Sequence, residues 1–170
     1  MIREAQVKDI KDILEIYNDA ILNTTAIYSY KPHTIEQRTE WFNEKKKEGY
    51  PVFVYEEDGK AVGFATYGQF RPWPAFKYSI EHSIYVHKAY RNKGIAKALM
   101  QKLIKAAEEE GYAIIVAGID SANKGSLLMH EKLGFKHVGT IEKAGYKFDR
   151  WLDLVFYQLN LSGPKNPTEE

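Results

Sequence analysis

The stretch Ser79-Ile80-Glu81-His82-Ser83-Ile84-Tyr85-Val86, followed by Tyr90-Arg91-Asn92-Lys93-Gly94-Ile95-Ala96-Lys97-Ala98-Leu99, decides the fold. Its first part reads as a strand over Tyr78 to Val86. From Gly94 to Gly111 the apolar residues return at helical spacing, with Ile95, Leu99, Leu103, Ala106 and Ala107 on one side. A basic loop joins the two. A loop feeding a helix in this way gathers unpaired backbone N–H groups and the positive end of the macrodipole, which suits a phosphate. Gly94 and the small Ala96 let a ligand approach the backbone closely. The spacing is neither G-x-x-x-x-G-K-S/T nor G-x-G-x-x-G, so two common nucleotide loops are excluded.

Outward toward the N-terminus, Ile2–Ala5 reads as a short strand. Ile10, Ile13, Leu14, Tyr17, Ala20 and Ile21 then form one face of a helix. A polar, aromatic-rich loop from Asn23 to His33 leads to Thr34-Ile35-Glu36-Gln37, a capping-box helix start. Gly49-Tyr50-Pro51 ends that helix. Strands Val52–Glu56 and Ala61–Tyr67 follow, with Asp58-Gly59 supplying the positive φ angles of a tight hairpin. Toward the C-terminus come strand Tyr112–Ile119, helix Lys124–Leu133 and strands Phe135–Ile141 and Trp151–Leu159. The order βααβββαβαββ mixes hairpins with strand–helix–strand units and predicts an α/β fold on a mixed sheet. Residues 1–161 read as a single domain, and 162–170 as a polar, disordered tail.

The 170 residues can bury a core without a metal or disulfide staple. Lys+Arg 24 against Asp+Glu 23 leaves a net charge of +1, so the chain has no electrostatic footprint for nucleic acid or an anionic membrane. Cysteine is absent, which removes disulfides, thiolate metal sites and a cysteine nucleophile together. No apolar run reaches the length of a membrane span, and Met1-Ile2-Arg3-Glu4 is not a signal peptide, so a cytoplasmic protein is expected. A metal hydrolase on His82, His87, His130 and His137 has no short-spaced ligand set to stand on. Asp120-Ser121-Ala122-Asn123 closes a strand and opens the helix that carries His130. Asn123 is read equally well as a helix cap or as an amide offered to a ligand.

Strand Ile84-Tyr85-Val86, loop Arg91 to Ala96 and Asn123 before a helix together resemble the GNAT superfamily of acetyl-CoA-dependent N-acetyltransferases. Within it, Glu81 to Val86, Met129-His130-Glu131-Lys132-Leu133-Gly134-Phe135 and Gly145 to Leu154, with Arg71-Pro72-Trp73, are similar to the phosphinothricin and methionine sulfoximine acetyltransferases. The resemblance runs from Ile2 to about Leu161. It implies a mixed, mostly antiparallel sheet flanked by about four helices, with splayed strands forming the acetyl-CoA cleft.

The resemblance also implies roles. Ile84, Tyr85 and Val86 would pair with the pantetheine arm through their backbone. Asn92, Lys93, Gly94, Ile95, Ala96 and Lys97 would cradle the pyrophosphate, Asn123 would hold the pantetheine, and Lys132 would lie near the cofactor. Glu81, His82 and Ser83 with Arg71, Pro72 and Trp73 would line the acceptor pocket. The family often has glycine where Asn92 and Ala96 stand. A homodimer, no catalytic metal, and detoxification of glutamine-synthetase inhibitors are further implications.

The residue types suit that chemistry in their own right. An ammonium must lose a proton before it attacks a thioester, and Glu81 is the candidate base. The Val86 N–H is a preorganised donor for a developing oxyanion. His130 is placed to protonate the leaving thiolate or to relay a proton. Arg71 can grip an acceptor carboxylate in a fork, with Trp73 as an apolar wall. Tyr28, Lys147 and Arg150 are lesser candidates, Trp151 reads as core, and His33, His87 and His137 read as exposed or incidental. Two other functions fit less well. One is a non-catalytic acyl-CoA sensor, which would need neither Glu81 nor His130. The other is an acetyltransferase for a polyamine or a protein N-terminus.

Overall fold

Seven strands and four α-helices form in the computed structural model, which describes residues 1–170. The strands are β1 (Ile2–Glu4), β2 (Val52–Glu57), β3 (Lys60–Gln69), β4 (Ser79–Val86), β5 (Ile114–Asp120), β6 (Lys136–Lys147) and β7 (Arg150–Asn160). The helices are α1 (Ile10–Asn23), α2 (Ile35–Glu48), α3 (Ile95–Glu109) and α4 (Lys124–Lys132). Strand order is β1-β2-β3-β4-β5-β7-β6. β4 and β5 run parallel, while β1–β2, β2–β3, β5–β7 and β6–β7 are antiparallel, so the sheet is mixed and mostly antiparallel, as expected. No helix is long and apolar enough to cross a membrane.

The chain divides into two compact units, Met1–Gly68 with Ser83–Ile104, and Gln69–His82 with Lys105–Glu170. In the first, the α1 stripe does what its spacing predicts. Ile13 and Ile16 are essentially inaccessible and pack with Phe42 of α2 and Val52, Val54, Ala61 and Phe64 of the β2–β3 hairpin. Burying one such side chain contributes about 1.5–3 kcal/mol. Thr34 and Gln37 close the capping box at α2, and Gly49 ends that helix at φ 78°. Arg3 ties the N-terminus down: it donates to Asp9 at 2.7 Å and to Glu56 at 2.6 Å.

In the second unit β5 runs antiparallel to β7 for seven residue pairs, from Ile114↔Asn160 to Asp120↔Leu154. β6 continues six residues beyond the expected end at Ile141, to Lys147. Its hairpin with β7 turns on Phe148 and Asp149, at φ 53° and 57°, two residues without the usual glycine signal. Trp151, expected in the core, is 57% exposed beside Tyr146. The segment after Leu161 makes hydrogen bonds of its own: Thr168 N–H donates to Tyr78 Oη at 3.0 Å, and Lys77 Nζ to the Glu170 carbonyl at 2.8 Å.

Candidate active site

The chemistry of the second unit starts on β4. Its parallel register with β5 covers Ser79–Glu81 against Ile114–Val116 and ends there. Successive strand side chains face opposite ways, so Glu81 and His82, adjacent in sequence, serve different faces. Glu81 is half-buried. Its Oε2 lies 3.5 Å from the point where a Cβ on Gly118 would stand, and Leu154 Cδ1 lies 3.4 Å from that point. The carboxylate thus sits over Gly118 among apolar neighbours. Burial pushes the Glu81 carboxyl above its usual range, Arg71 pulls it partly back, and no hydrogen bond holds the anion. Arg71 is exposed: its guanidinium lies 4.2 Å over the Phe70 ring and donates to the Phe70 carbonyl at 2.8 Å. Pro72 is exposed, and Trp73, 61% exposed, leans edge-on against Phe76.

On the other face His82 meets His130, which α4 carries at 2% exposure. The tautomers follow from the partners. His130 Nδ1 is 2.7 Å from the Ser126 carbonyl, an acceptor only, so Nδ1 carries the proton. In a neutral ring Nε2 is then bare and accepts from the Nε2–H of His82 at 2.9 Å. The rings stack at 11°, with Phe135 edge-on to both. His82 is left with a bare, enclosed Nδ1 that has no partner. Burial and the neighbouring imidazole push His82 down to about 3, and burial also lowers His130, so the pair stays neutral. Neither nitrogen of His130 has a proton free to give away in this state.

Asn123 acts as the cap of α4, its Oδ1 accepting from Ser126 N–H at 3.2 Å, which leaves its NH₂ group free. Lys132 is the exposed last residue of α4. Of the lesser candidates, Arg150 pairs with buried Asp120 at 2.5 Å, and Lys147 is buried.

In the first unit Ser83, Ile84, Tyr85 and Val86 are half-buried. Arg91 Nε donates to the Val86 carbonyl at 3.4 Å and reaches Asp19 at 3.5 Å, fixing the loop's start. Asn92 sits at φ 62° and Gly94 at φ 78°. Asparagine tolerates the left-handed region better than most residues, so Asn92 can take the position where the resemblance leads one to expect glycine. Asn92, Lys93, Gly94 and Lys97 are exposed at the start of α3, Ala96 is half-buried, and Ile95 alone turns into the core. No side chain or backbone stands within 4 Å of where a Cβ on Gly94 would point. An open loop of amides and lysines before a fifteen-residue helix fits a pyrophosphate.

A buried cluster in the same unit escaped the sequence reading. Arg38 is only 4% exposed and has no carboxylate partner; its guanidinium lies 3.9 Å over the Tyr17 ring and 4.1 Å from that of Trp41. Its Nε has no hydrogen-bond partner. Two aromatic faces return about 1–4 kcal/mol between them, against a desolvation penalty of several kcal/mol for the cation. His33, read as incidental, stands beside the same Tyr17 ring at 4.8 Å. Asn18 grips its backbone twice, at 2.8 and 2.9 Å, and its enclosed Nδ1 also lacks a partner. His87 pairs with Glu15 at 3.2 Å, and His137 is exposed. Helical periodicity counts only apolar residues, so a buried arginine on α2 leaves no mark in it.

The fold is a mixed α/β sheet with a short parallel register at β4–β5. Residues 11–135 match the Acetyltransferase (GNAT) family. The chain belongs to that family and is an acetyltransferase. It is 44% identical over 161 residues, 94% of each chain, to an L-methionine sulfoximine/L-methionine sulfone acetyltransferase of Pseudomonas paraeruginosa. It is 41% identical to an L-amino acid N-acyltransferase of Escherichia coli, over 98% of this chain and 96% of the relative. Among solved structures, an N-acetyltransferase from Staphylococcus aureus Mu50 superposes with a TM-score of 0.95 at 56% identity, covering 95% of this chain and 98% of that one. A phosphinothricin acetyltransferase from Sinorhizobium meliloti, solved in complex with acetyl-CoA, superposes with a TM-score of 0.95 at 34% identity, covering 99% and 93%.

Proposed function

We propose that this protein moves acetyl from acetyl-CoA to the α-amino group of a small amino-acid-like acceptor of the methionine sulfoximine, methionine sulfone or phosphinothricin type. The amine attacks directly, with Glu81 as general base. The observation that carries the reading is the state of Glu81. A half-buried carboxylate with a raised pKa and no hydrogen bond is free to take a proton from the acceptor ammonium. Past the end of the β4–β5 register, the backbone of Ile84 to Val86 pairs with the pantetheine arm, and Asn92 to Lys97 cradle the pyrophosphate. The free amide group of Asn123 joins the pantetheine, Lys132 lies near the cofactor, and the Val86 N–H receives the developing oxyanion. Arg71 grips an anionic group of the acceptor, Pro72, Trp73 and Ser83 complete the lining, and His82 lies on the opposite face of the strand, enclosed with His130. His130 acts through His82: with both its nitrogens engaged it fixes the tautomer of its neighbour. A thiol of pKa about 8.5 can leave as thiolate without a dedicated acid.

We further infer a cytoplasmic homodimer in which residues 1–161 act as one catalytic domain, with detoxification of such acceptors as its use. The exposed apolar residues Val138, Ile141, Tyr146, Phe148 and Trp151 of the β6–β7 hairpin are the candidate contact. Light scattering tests this, since a monomeric mass removes it.

The deciding experiment follows thiol release from acetyl-CoA with methionine sulfoximine, methionine sulfone, phosphinothricin, common amino acids, spermidine and an alanyl peptide. Turnover concentrated on the first three is expected. Turnover confined to spermidine or the peptide would reassign the acceptor, and binding without turnover would make the protein an acyl-CoA sensor.

A further inference from the structure

We infer that Arg38 and His33, to which no role is assigned above, form a binding site for a small carboxylate. Arg38 is a permanent cation, 4% exposed, with no acid beside it and an unpartnered Nε–H. His33 brings a second enclosed nitrogen without a partner to the same Tyr17 ring, and its imidazole feels the Arg38 charge. A guanidinium N–H and an imidazole N–H that meet the same aromatic ring suit one planar, singly charged oxyanion. The site is built as well as charged. Tyr17 and Trp41 hold the guanidinium on two sides, and Asn18 fixes the His33 backbone through both groups of its amide. Between α1 and α2 the chain that carries His33 also carries Tyr28 and Tyr30, 48% and 69% exposed, so the cluster adjoins solvent-facing chain. A carboxylate bound here neutralises the buried cation and favours the protonated form of His33.

Two sources can supply that group: the carboxylate of the amino-acid acceptor, or a free small acid. Assignment to the acceptor rests on the acetyltransferase reading; the site itself does not. The first arm therefore needs no turnover. Trp41 stacks on Arg38, so acetate added to the full-length protein at constant ionic strength should change the tryptophan fluorescence saturably. The change should be lost in Arg38→Met and be weaker in Arg38→Lys. A linear response, or one identical in wild type and Arg38→Met, overturns the site. Because wild type carries this readout, a poorly folding variant does not leave the question open.

The second arm compares kcat/KM for methionine sulfone and for its methyl ester. If the site holds the acceptor, wild type prefers the acid by about 100-fold, and Arg38→Met brings the ratio near one, chiefly through KM. If Arg71→Met alone abolishes the preference while acetate still saturates, the occupant is a free acid. If wild type turns over no amino acid, the acceptor assignment fails and the acetate result stands on its own.

Discussion

Replacing Glu81 with glutamine should separate catalysis from folding. Glutamine has the shape of glutamate, and no hydrogen bond to the carboxylate is lost. Folding stability near neutral pH should therefore stay within about 0.5 kcal/mol or rise slightly. The direction follows from linkage. The folded-state pKa of Glu81 is raised by burial, so the folded protein holds that proton when the unfolded chain has released it. Stability then falls as pH rises from the unfolded carboxyl pKa through the raised one, and glutamine removes that loss. Catalysis should behave oppositely. A positioned base contributes about 10²–10⁴ in rate, or roughly 2.7–5.5 kcal/mol of transition-state stabilisation. Thiol release from about pH 6 to about pH 9 should show kcat/KM falling by that factor in Glu81→Gln, with loss of the acid limb of the wild-type profile. Acetyl-CoA affinity by calorimetry should hold. A loss below tenfold with the limb intact refutes Glu81 as the base, and a parallel collapse of the melting temperature would mean the side chain is structural.

Other consequences are as direct. His82 and His130 are both held below the ordinary histidine pKa, so below about pH 6.5 the unfolded chain binds protons that the folded one refuses. Stability from urea unfolding should fall by up to about 1.4 kcal/mol per pH unit for each histidine, and His130→Phe should remove one share. At neutral pH the same substitution strands the Nε2–H of His82 and should cost about 1–3 kcal/mol. Asp9 is 3% exposed, and burial alone would raise its pKa. Arg3 and the Gln6 N–H outweigh burial and hold it low, so its contribution is present above the unfolded carboxyl pKa and lost as pH falls through the folded one. Asp9→Ala leaves Arg3 with Glu56 alone and should destabilise by about 3 kcal/mol in a thermal melt. At φ 62°, Asn92→Gly should keep acetyl-CoA affinity, while the β-branched Asn92→Val should strain the loop by about 1–3 kcal/mol and weaken it.

How much of this was legible in the chain depended on the kind of signal. Apolar spacing placed α1 and α3, and Thr34 with Gln37 placed the start of α2, because capping and burial are local or periodic. The β6–β7 hairpin ran longer than expected because Phe148 and Asp149 take positive φ without the glycine that marks a tight turn, while Lys147 and Tyr146 pair with Arg150 and Trp151 across it. Trp151 looked like core because large aromatics usually are, yet its neighbour Leu152 takes the buried side at 3% exposure. Strand alternation allows only one of the two inward. Glu81 was visible as a candidate, but its lack of partners was not. The histidine pair was invisible, since His82 and His130 lie 48 residues apart and become neighbours only in the folded chain.

The organisation of β4 explains how one eight-residue strand can serve two kinds of work. Its first residues are locked in parallel register with β5, and that rigidity positions side chains: Ile80 in the core, Glu81 on one face, His82 on the other. A carboxylate and a neutral imidazole pair so placed share a backbone but not an environment. Glu81 lies over Gly118, half-buried, and can ionise, while His82 is enclosed with His130 and stays uncharged. The strand's last residues, Ile84 to Val86, fall outside that register, and in the proposed reading they act through the main chain. Substitutions in the two halves should therefore differ in kind. With Glu81 as the proposed base, Glu81→Gln should alter chemistry through one atom. At Ile84 or Val86, side-chain changes that keep the extended backbone should be tolerated, whereas proline, which removes an N–H, should not. Val86→Ile and Val86→Pro make the sharpest pair, because they differ chiefly in that donor and in backbone freedom. Thiol release near the wild-type rate in the first, and a fall of about 10²-fold or more in the second, is the result that backbone stabilisation of an oxyanion requires. Equal losses in both would place the role of residue 86 in its side chain.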